Sequence, residues 1–330
     1  MYKILITGGA GYIGSMLTHK LVKEDYNVTV YDSLLYNQNI LHFLSLPRNR
    51  FTFVKGDILD YDKLRPYIEE CDIIIHLAAL VGDPVCEYIN KNIVNEINTV
   101  SVLEIINMSP LKVKHIFISS CSLYGYSESI VDEDSPVNPI SVYAKSRYEV
   151  EKYINQFLEN IIILRLGTVY GISYRPRFDT IFNKLVSQAV LNQKMSIFGG
   201  QQYRPFIHIS DVVNAILLIL TRGDFKKRLY NIAGLNSSIS ELALSIQDSL
   251  SDPTEIETNI EKIDQRDYRV SSKKFYNGHH SSYKASYFQG IVEIERAIKN
   301  KMVNPSKSKY SNIDYIKRHY CRNLRKTDVY

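Results

Sequence analysis

The chain has 330 residues, 45% of them apolar and 23% charged. That length and balance provide for two lobes around a sizeable core, at roughly 150 residues each, and exclude a peptide, a small disulfide scaffold or a disordered tail. The formal net charge of +5 lies in residues 306–330, where Lys307, Lys309, Lys317, Arg318, Arg322, Arg325 and Lys326 stand against only Asp314 and Asp328.

No apolar run approaches the roughly 18 residues of a membrane span, the longest unbroken one being Ala215 to Leu220. Met1 to Thr7 enters strand-like sequence without a charged leader or a cleavage site, so a cytoplasmic protein is expected. Cys71, Cys86, Cys121 and Cys321 form no C-x-x-C pair, which fits a reducing compartment and argues against structural zinc. His279-His280 lacks a third ligand at useful spacing, and no metal is expected.

Tyr2 to Thr7 reads as a strand, Gly11 to about Glu24 as a helix and Val28 to Tyr31 as a strand, a β-α-β unit. Further strands are predicted at Phe51–Val54, Asp72–Leu77, Val113–Ser119 and Ile161–Leu166, with helices at Tyr61–Glu69, Lys91–Asn107 and Tyr143–Leu158. This alternation predicts an α/β fold, a doubly wound parallel sheet of Rossmann type with helices on both faces. After Gly171 the regularity fails, with an Arg/Pro loop at Ser173 to Phe178 and a Gly199-Gly200 turn, which predicts a second, smaller C-terminal substrate lobe. The expected division is 1–171 for the nucleotide-binding domain, 172–205 and 233–305 for the substrate lobe, and a return to the first domain at about 206–232. Within that return, Ser210 is expected to cap an apolar helix from Asp211 to Leu220. Residues 306–330 are expected to form a basic, solvated, partly helical extension, with an anionic membrane surface, nucleic acid or another protein as the alternative contacts.

Between the first strand and helix lies Thr7-Gly8-Gly9-Ala10-Gly11-Tyr12-Ile13-Gly14, with glycines at the spacing G-x-x-G-x-x-G. There Gly8 permits a tight turn, Gly11 lets backbone N–H groups approach a pyrophosphate, and Gly14 lets the helix pack closely on the sheet. Asp32 ends the second strand, where a carboxylate accepts from ribose hydroxyls and repels a ribose phosphate; this favours NAD over NADP, a plain turn cap being the other reading. Asp57 accepts from an adenine amino group or simply closes an Asx turn.

With these residues the sequence resembles the extended short-chain dehydrogenase/reductase family, the NAD-dependent nucleotide-sugar epimerases, dehydratases and dehydrogenases. The resemblance rests on Thr7 to Gly14, Asp32, Gly56-Asp57-Ile58, His76-Leu77-Ala78-Ala79, Asn98, Ser119-Ser120-Cys121-Ser122-Leu123-Tyr124-Gly125, Tyr143 with its helix, Leu164 to Gly171 and Arg204-Pro205-Phe206-Ile207-His208. It implies a cofactor site built from Gly8, Gly11, Tyr12, Ile13, Gly14, Asp32, Asp57, Ile58, Leu77, Ala78, Ala79, Asn98, Ser119, Tyr143 and Arg147, and catalysis by Ser120, Tyr143 and Arg147. The family's tyrosine opens a Tyr-x-x-x-Lys helix, and this chain has Tyr143-Ala144-Lys145-Ser146-Arg147. Residues at i and i+4 share a helix face, so a cation there lowers the phenol from its usual pKa of about 10. Arginine supplies the charge without exchanging protons, and Lys145 points to another face. Either the chemistry persists with Arg147 as a pure electrostatic partner, or the protein is a catalytically impaired binder of NAD and nucleotide sugar.

Family 4,6-dehydratases carry Asp-Glu after the serine; Cys121-Ser122 stand there in this chain, leaving water elimination without proton carriers. The resemblance therefore implies a nucleotide-sugar 4-epimerase, with a C4 dehydrogenase releasing the 4-keto sugar as the alternative. On the substrate side Arg204 and Arg266 are expected at a nucleotide diphosphate or else in surface ion pairs, with Thr168 and Asn183 near the sugar. A homodimer through the helices at 91–107 and 143–158 is implied, and no nucleic-acid partner or membrane span is expected.

Overall fold

The structure, a computed structural model, describes residues 2–260 and 264–324. In chain order the first half holds β1 (Lys3–Thr7), α1 (Tyr12–Lys23), β2 (Asn27–Asp32), β3 (Phe51–Lys55), α2 (Tyr61–Glu70), β4 (Ile73–His76), α3 (Asp83–Tyr88), α4 (Lys91–Asn95), α5 (Ser101–Met108), β5 (Lys114–Ser120), β6 (Tyr126–Val131), α6 (Val142–Phe157), β7 (Ile161–Leu166) and β8 (Thr168–Tyr170). The second half adds α7 (Ile181–Asn192), β9 (Lys194–Phe198), β10 (Tyr203–His208), α8 (Ile209–Arg222), β11 (Arg228–Ile232), β12 (Leu235–Ser238), α9 (Ile239–Ser249), β13 (Glu255–Asn259), β14 (Asp267–Val270), α10 (Lys273–Gly278), α11 (Tyr287–Lys299) and α12 (Asn312–Leu324).

Seven strands form one parallel sheet in the order β3-β2-β1-β4-β5-β7-β11, the doubly wound arrangement that the alternating pattern predicts. Its inner strands are short β-branched runs closed to water on both faces, as in Ile73-Ile74-Ile75. The order reverses between β1 and β4, so the loops leaving these strands diverge and open a crevice at their carboxyl ends. A wide π turn at Glu96–Val100 interrupts the helical run predicted at 91–107.

The strands β8, β10 and β12 form a small sheet, while β9 pairs with β13 and β6 with β14. Phe182, Leu185, Phe206, Leu242 and Ile291 lie in a second core shared by α7, β10, α9 and α11. α8 lies on α1, and β11 edges the large sheet beside β7, but Phe206–His208 belongs to the small sheet. The start of α8 also differs from expectation. His208 rather than Ser210 is the N-cap, its Nδ1 accepting from the Ser210 N–H at 3.3 Å while its other ring nitrogen meets Glu293 Oε1 at 2.9 Å.

The expectation of a solvated tail is corrected. α12 packs on α3 because Ile313, Ile316 and Tyr320 recur at helical spacing on one face, leaving Lys317 and Arg318 exposed. Arg325, Lys326 and Asp328 lie outside the described residues.

Two buried polar pairs brace the sheet. Arg165 on β7 holds Glu151 on α6 through Nη2–Oε2 at 2.6 Å, and Glu151 Oε1 also accepts the Ser119 hydroxyl of β5 at 2.5 Å. Arg165 Nη1 reaches the Tyr124 phenol at 3.0 Å. Replacing Arg165 by Met strands the Glu151 charge in the core, and denaturant unfolding should show a loss of about 3–5 kcal/mol. Adding Glu151→Leu should recover part of that loss, because no buried charge then lacks a partner.

His76 on β4 and His115 on β5 share a hydrogen bond of 3.1 Å between Nε2 and Nδ1. Burial holds His115 down at about 4 and His76 well below its ordinary 6.5, with the charge of Arg147 pushing His76 further the same way. The folded state thus keeps both rings neutral while the unfolded chain takes up protons below about 6.5. Stability present at pH 7 should fall as the pH drops from 6.5 towards 4, with His115 contributing on the order of 2–3 kcal/mol of that loss. His115→Gln, which retains a hydrogen-bonding side chain but does not titrate, should flatten the acid limb of a stability–pH curve.

Candidate active site

The reversal of strand order concentrates functional side chains in one cavity of about 800 Å³. One wall is the turn between β1 and α1. Gly8 adopts φ +74°, and a Cβ on Gly14 would lie 2.5 Å from the Gly8 carbonyl oxygen, so α1 reaches the sheet only with glycine there. The N-cap of α1 is Gly11, with no side-chain cap, which leaves the helix N-terminus open to an anion. Gly8, Gly11, Tyr12, Ile13 and Gly14 all line the cavity. The Tyr12 hydroxyl, however, donates to the Gly171 carbonyl at 2.7 Å and so ties α1 to the loop after β8.

Asp32 lines the cavity at the end of β2, where burial raises its carboxyl above the ordinary range. Among the described residues its Oδ2 accepts the Ala10 N–H at 2.9 Å, and its Oδ1 accepts the Leu34 N–H at 2.8 Å and the Gln38 amide at 3.4 Å. The carboxylate therefore braces the Gly-rich turn and still has lone pairs to offer a diol. Asp57 makes an Asx turn, Oδ1 accepting the Leu59 N–H at 3.0 Å, and lines the cavity together with Ile58, Leu77, Ala78 and Ala79. The open helix terminus, the buried carboxylate and the cavity's size fit a dinucleotide.

Asn98 requires a correction: it is absent from the cavity wall. Its amide is consumed behind that wall, accepting the Leu80 N–H at 2.8 Å and donating to the Leu80 carbonyl at 2.9 Å, which fixes the loop after β4. Its own carbonyl oxygen accepts from Arg147 Nη2.

Ser120 ends β5 and Tyr143 opens α6, whose N-cap Ser141 accepts the Ala144 N–H at 3.1 Å; both side chains line the cavity. Ser120 Oγ accepts the Ser122 N–H at 3.1 Å and donates to Ser122 Oγ at 2.9 Å. Arg147 lies one turn beyond Tyr143 on the same face, buried, its guanidinium 5.9 Å from the Tyr143 ring centre and 5.3 Å from that of Phe117. Its Nε has no partner among the described residues. The positive charge pulls the Tyr143 phenol down, but burial outweighs it and the net shift is upward. Arg147 alone therefore does not produce the depressed phenol expected from the sequence. Lys145 is exposed on another face. Ser119 lines the cavity while its hydroxyl is spent on Glu151.

At the other end Thr168, Arg204 and Arg266 line the cavity. Both arginines meet Asp264, at 2.8 Å from Arg204 Nη2 and 2.5 Å from Arg266 Nη2, and Arg266 also pairs with Asp83. These cations hold Asp264 down and offer an anion a site already organised around carboxylates. Asn183 is the second correction. It is fully buried, with Oδ1 accepting the Gly171 N–H at 3.0 Å and Nδ2 donating to the Arg177 carbonyl at 2.8 Å, so it shapes the loop rather than meeting a substrate. Its exposed neighbour Lys184 lines the cavity instead.

Sequence reasoning missed Arg175, Arg177, Asp179 and Asn312. Arg177 and Asp179 pair at 2.9 Å, and Arg175 Nη2 donates to Asn312 Oδ1 at 2.5 Å, all four lining the cavity. The unusual density of arginine in Tyr174-Arg175-Pro176-Arg177 was the available signal.

Residues 4–233 match the NAD dependent epimerase/dehydratase family. The chain is similar to an uncharacterised UDP-glucose epimerase, YtcB, of Bacillus subtilis (strain 168), with 32% identity over 261 residues, 74% of this chain and 81% of that one. It is also similar to a dTDP-D-glucose 4,6-dehydratase of Homo sapiens, with 30% identity over 256 residues, 74% of this chain and 72% of that one. Among solved structures, a UDP-glucuronic acid 4-epimerase from Bacillus cereus in complex with UDP-glucuronic acid and NAD superposes with a TM-score of 0.77 at 28% identity, covering 91% of this chain and 99% of that one. A family match from the first strand to the end of the sheet, together with relatives alike over 74% of its length, makes this chain a member of the NAD dependent epimerase/dehydratase family of nucleotide-sugar enzymes, with NAD as cofactor.

Proposed function

We propose that the chain is a nucleotide-sugar 4-epimerase, and the observation that carries this reading is the pair that follows Ser120. Cys121 is buried, its thiol pushed up by burial and hydrogen-bonded to the Arg165 carbonyl at 3.2 Å. Ser122 faces the cavity and is occupied with Ser120. Neither serves as an acid or base at neutral pH, so expulsion of a sugar hydroxyl as water lacks a proton donor at that position.

Tyr143 takes the proton of the C4 hydroxyl in the oxidative half of the cycle and returns it in the reductive half. Ser120 hydrogen-bonds the same oxygen, and Arg147 stabilises the phenolate by charge without entering proton exchange. NAD, when bound, accepts and returns the C4 hydride, and its nicotinamide cation adds to the field acting on Tyr143. Gly11 and the open terminus of α1 would hold its pyrophosphate, with Asp32 at a ribose. Arg204, Arg266 and Lys184 attract the substrate's diphosphate. The buried guanidinium of Arg147, within cation–π distance of the Phe117 and Tyr143 rings and hydrogen-bonded to the Asn98 carbonyl, supports an adapted enzyme over an impaired one. The family resemblance leads us to expect a homodimer through the helices at 91–107 and 143–158, which light scattering checks.

Incubation with NAD and a panel of nucleotide sugars should yield a new chromatographic peak of unchanged mass. Loss of water would overturn the reading, and loss of two hydrogens would point to the dehydrogenase. Tyr143→Phe should lower kcat by about 10²–10⁴-fold while NAD still binds. Arg147→Lys should lower kcat as well, since lysine forfeits the guanidinium contacts to the Phe117 and Tyr143 rings and to the Asn98 carbonyl; a large gain would mark an impaired enzyme.

A further inference from the structure

The docked C-terminal helix belongs to the wall of the dinucleotide cavity. Asn312, its first residue, is fully buried and joins three segments that surround the groove. Its N–H donates to Asp179 Oδ2 at 3.0 Å, its Oδ1 accepts from Arg175, and its Nδ2 reaches the Val81 carbonyl at 3.4 Å. Just before it, the Tyr310 carbonyl accepts the Phe178 N–H at 2.8 Å. One turn on, Ile316 is buried in a cluster with Tyr36, Leu80 and Val85, and the Tyr315 ring meets Tyr36 edge-on at 5.8 Å. Tyr36 follows β2, and the guanidinium of Arg175 lies 4.6 Å over its ring. Arg175 lines the same cavity, and its Nε is buried without a partner among the described residues. The helix then brings Tyr320 to the cavity with Asp57 and Ile58, the residues after β3. The Asp57 charge reaches the Tyr320 phenol and adds to the burial that raises it.

We propose that α12 is a cofactor-retaining strap, in which Tyr320 closes the groove over the adenosine part of NAD and Asn312, as a positioning residue, anchors the strap through Arg175. This rests on the epimerase reading and deepens it. A 4-epimerase must return the hydride to the sugar that gave it, so reduced cofactor that escapes leaves a stranded ketone. Slow release of the dinucleotide is therefore part of the reaction, and an aromatic wall at the adenosine end supplies it without touching the reacting carbon.

The test is the rate at which NADH leaves the full-length protein into excess NAD, followed by fluorescence, in the wild type, Tyr320→Ala and Arg318→Ala. Tyr320→Ala should release NADH about tenfold faster, the order that one lost ring–base contact gives, and should lose bound NAD on gel filtration. Arg318→Ala, on the exposed face of the same helix, should match the wild type. Release from Tyr320→Ala at the wild-type rate overturns the strap and leaves the cofactor assignment standing, whereas a wild type that binds no NADH overturns both. Hydrogen exchange on the unmutated protein provides the second readout. NAD should deepen the protection of amides 313–320, and unchanged protection there overturns the proposal.

Discussion

A single buried ion pair sets the geometry on which the proposed reactive residues depend. Glu151 and Arg165 lock α6 to β7, and through Ser119 the same carboxylate takes hold of β5. Tyr143 and Arg147 are carried by that helix, and Ser120 follows Ser119 on that strand, so one carboxylate fixes the distance between the phenol and the serine. Buried pairs of this kind add little net stability compared with apolar residues of equal volume. Their contribution here is angular, because a bidentate guanidinium fixes direction as well as separation.

Charge elsewhere in the cavity follows a related plan. Arg204 and Arg266 share Asp264, Arg266 also meets Asp83, and Arg177 holds Asp179. Each cation is thereby kept extended beside the cavity at little cost in uncompensated charge. A diphosphate bound there, as proposed, would meet donors already in place and compete with Asp264 and Asp83 for their N–H groups. Arg147 and Arg175 differ, with no carboxylate at hydrogen-bonding distance among the described residues; around Arg147 rings and the Asn98 carbonyl take that place, and its charge acts on Tyr143 and His76.

Much of this was legible in the sequence, for reasons particular to each element. The inner strands declare themselves because both faces are apolar, and the Gly-rich turn because its glycines have separate steric duties. What escaped was set by tertiary contact. Nothing in the spacing of 91–107 announces a π turn, and an asparagine in a matching position does not show whether its amide points to a ligand or, as Asn98 and Asn183 do, back into the backbone. The tail misled through its composition, since its cations masked Ile313, Ile316 and Tyr320 at helical spacing.

The path of the chain between the lobes has a consequence for how such a protein can vary. The polypeptide leaves the large sheet after Leu166, comes back as α8 after β10, runs through β11 at the sheet's edge and departs again into β12. The smaller lobe is therefore stitched in rather than appended. It cannot be exchanged as a cassette, and cleft closure must bend several connections together, which favours small sliding motions over a wide hinge.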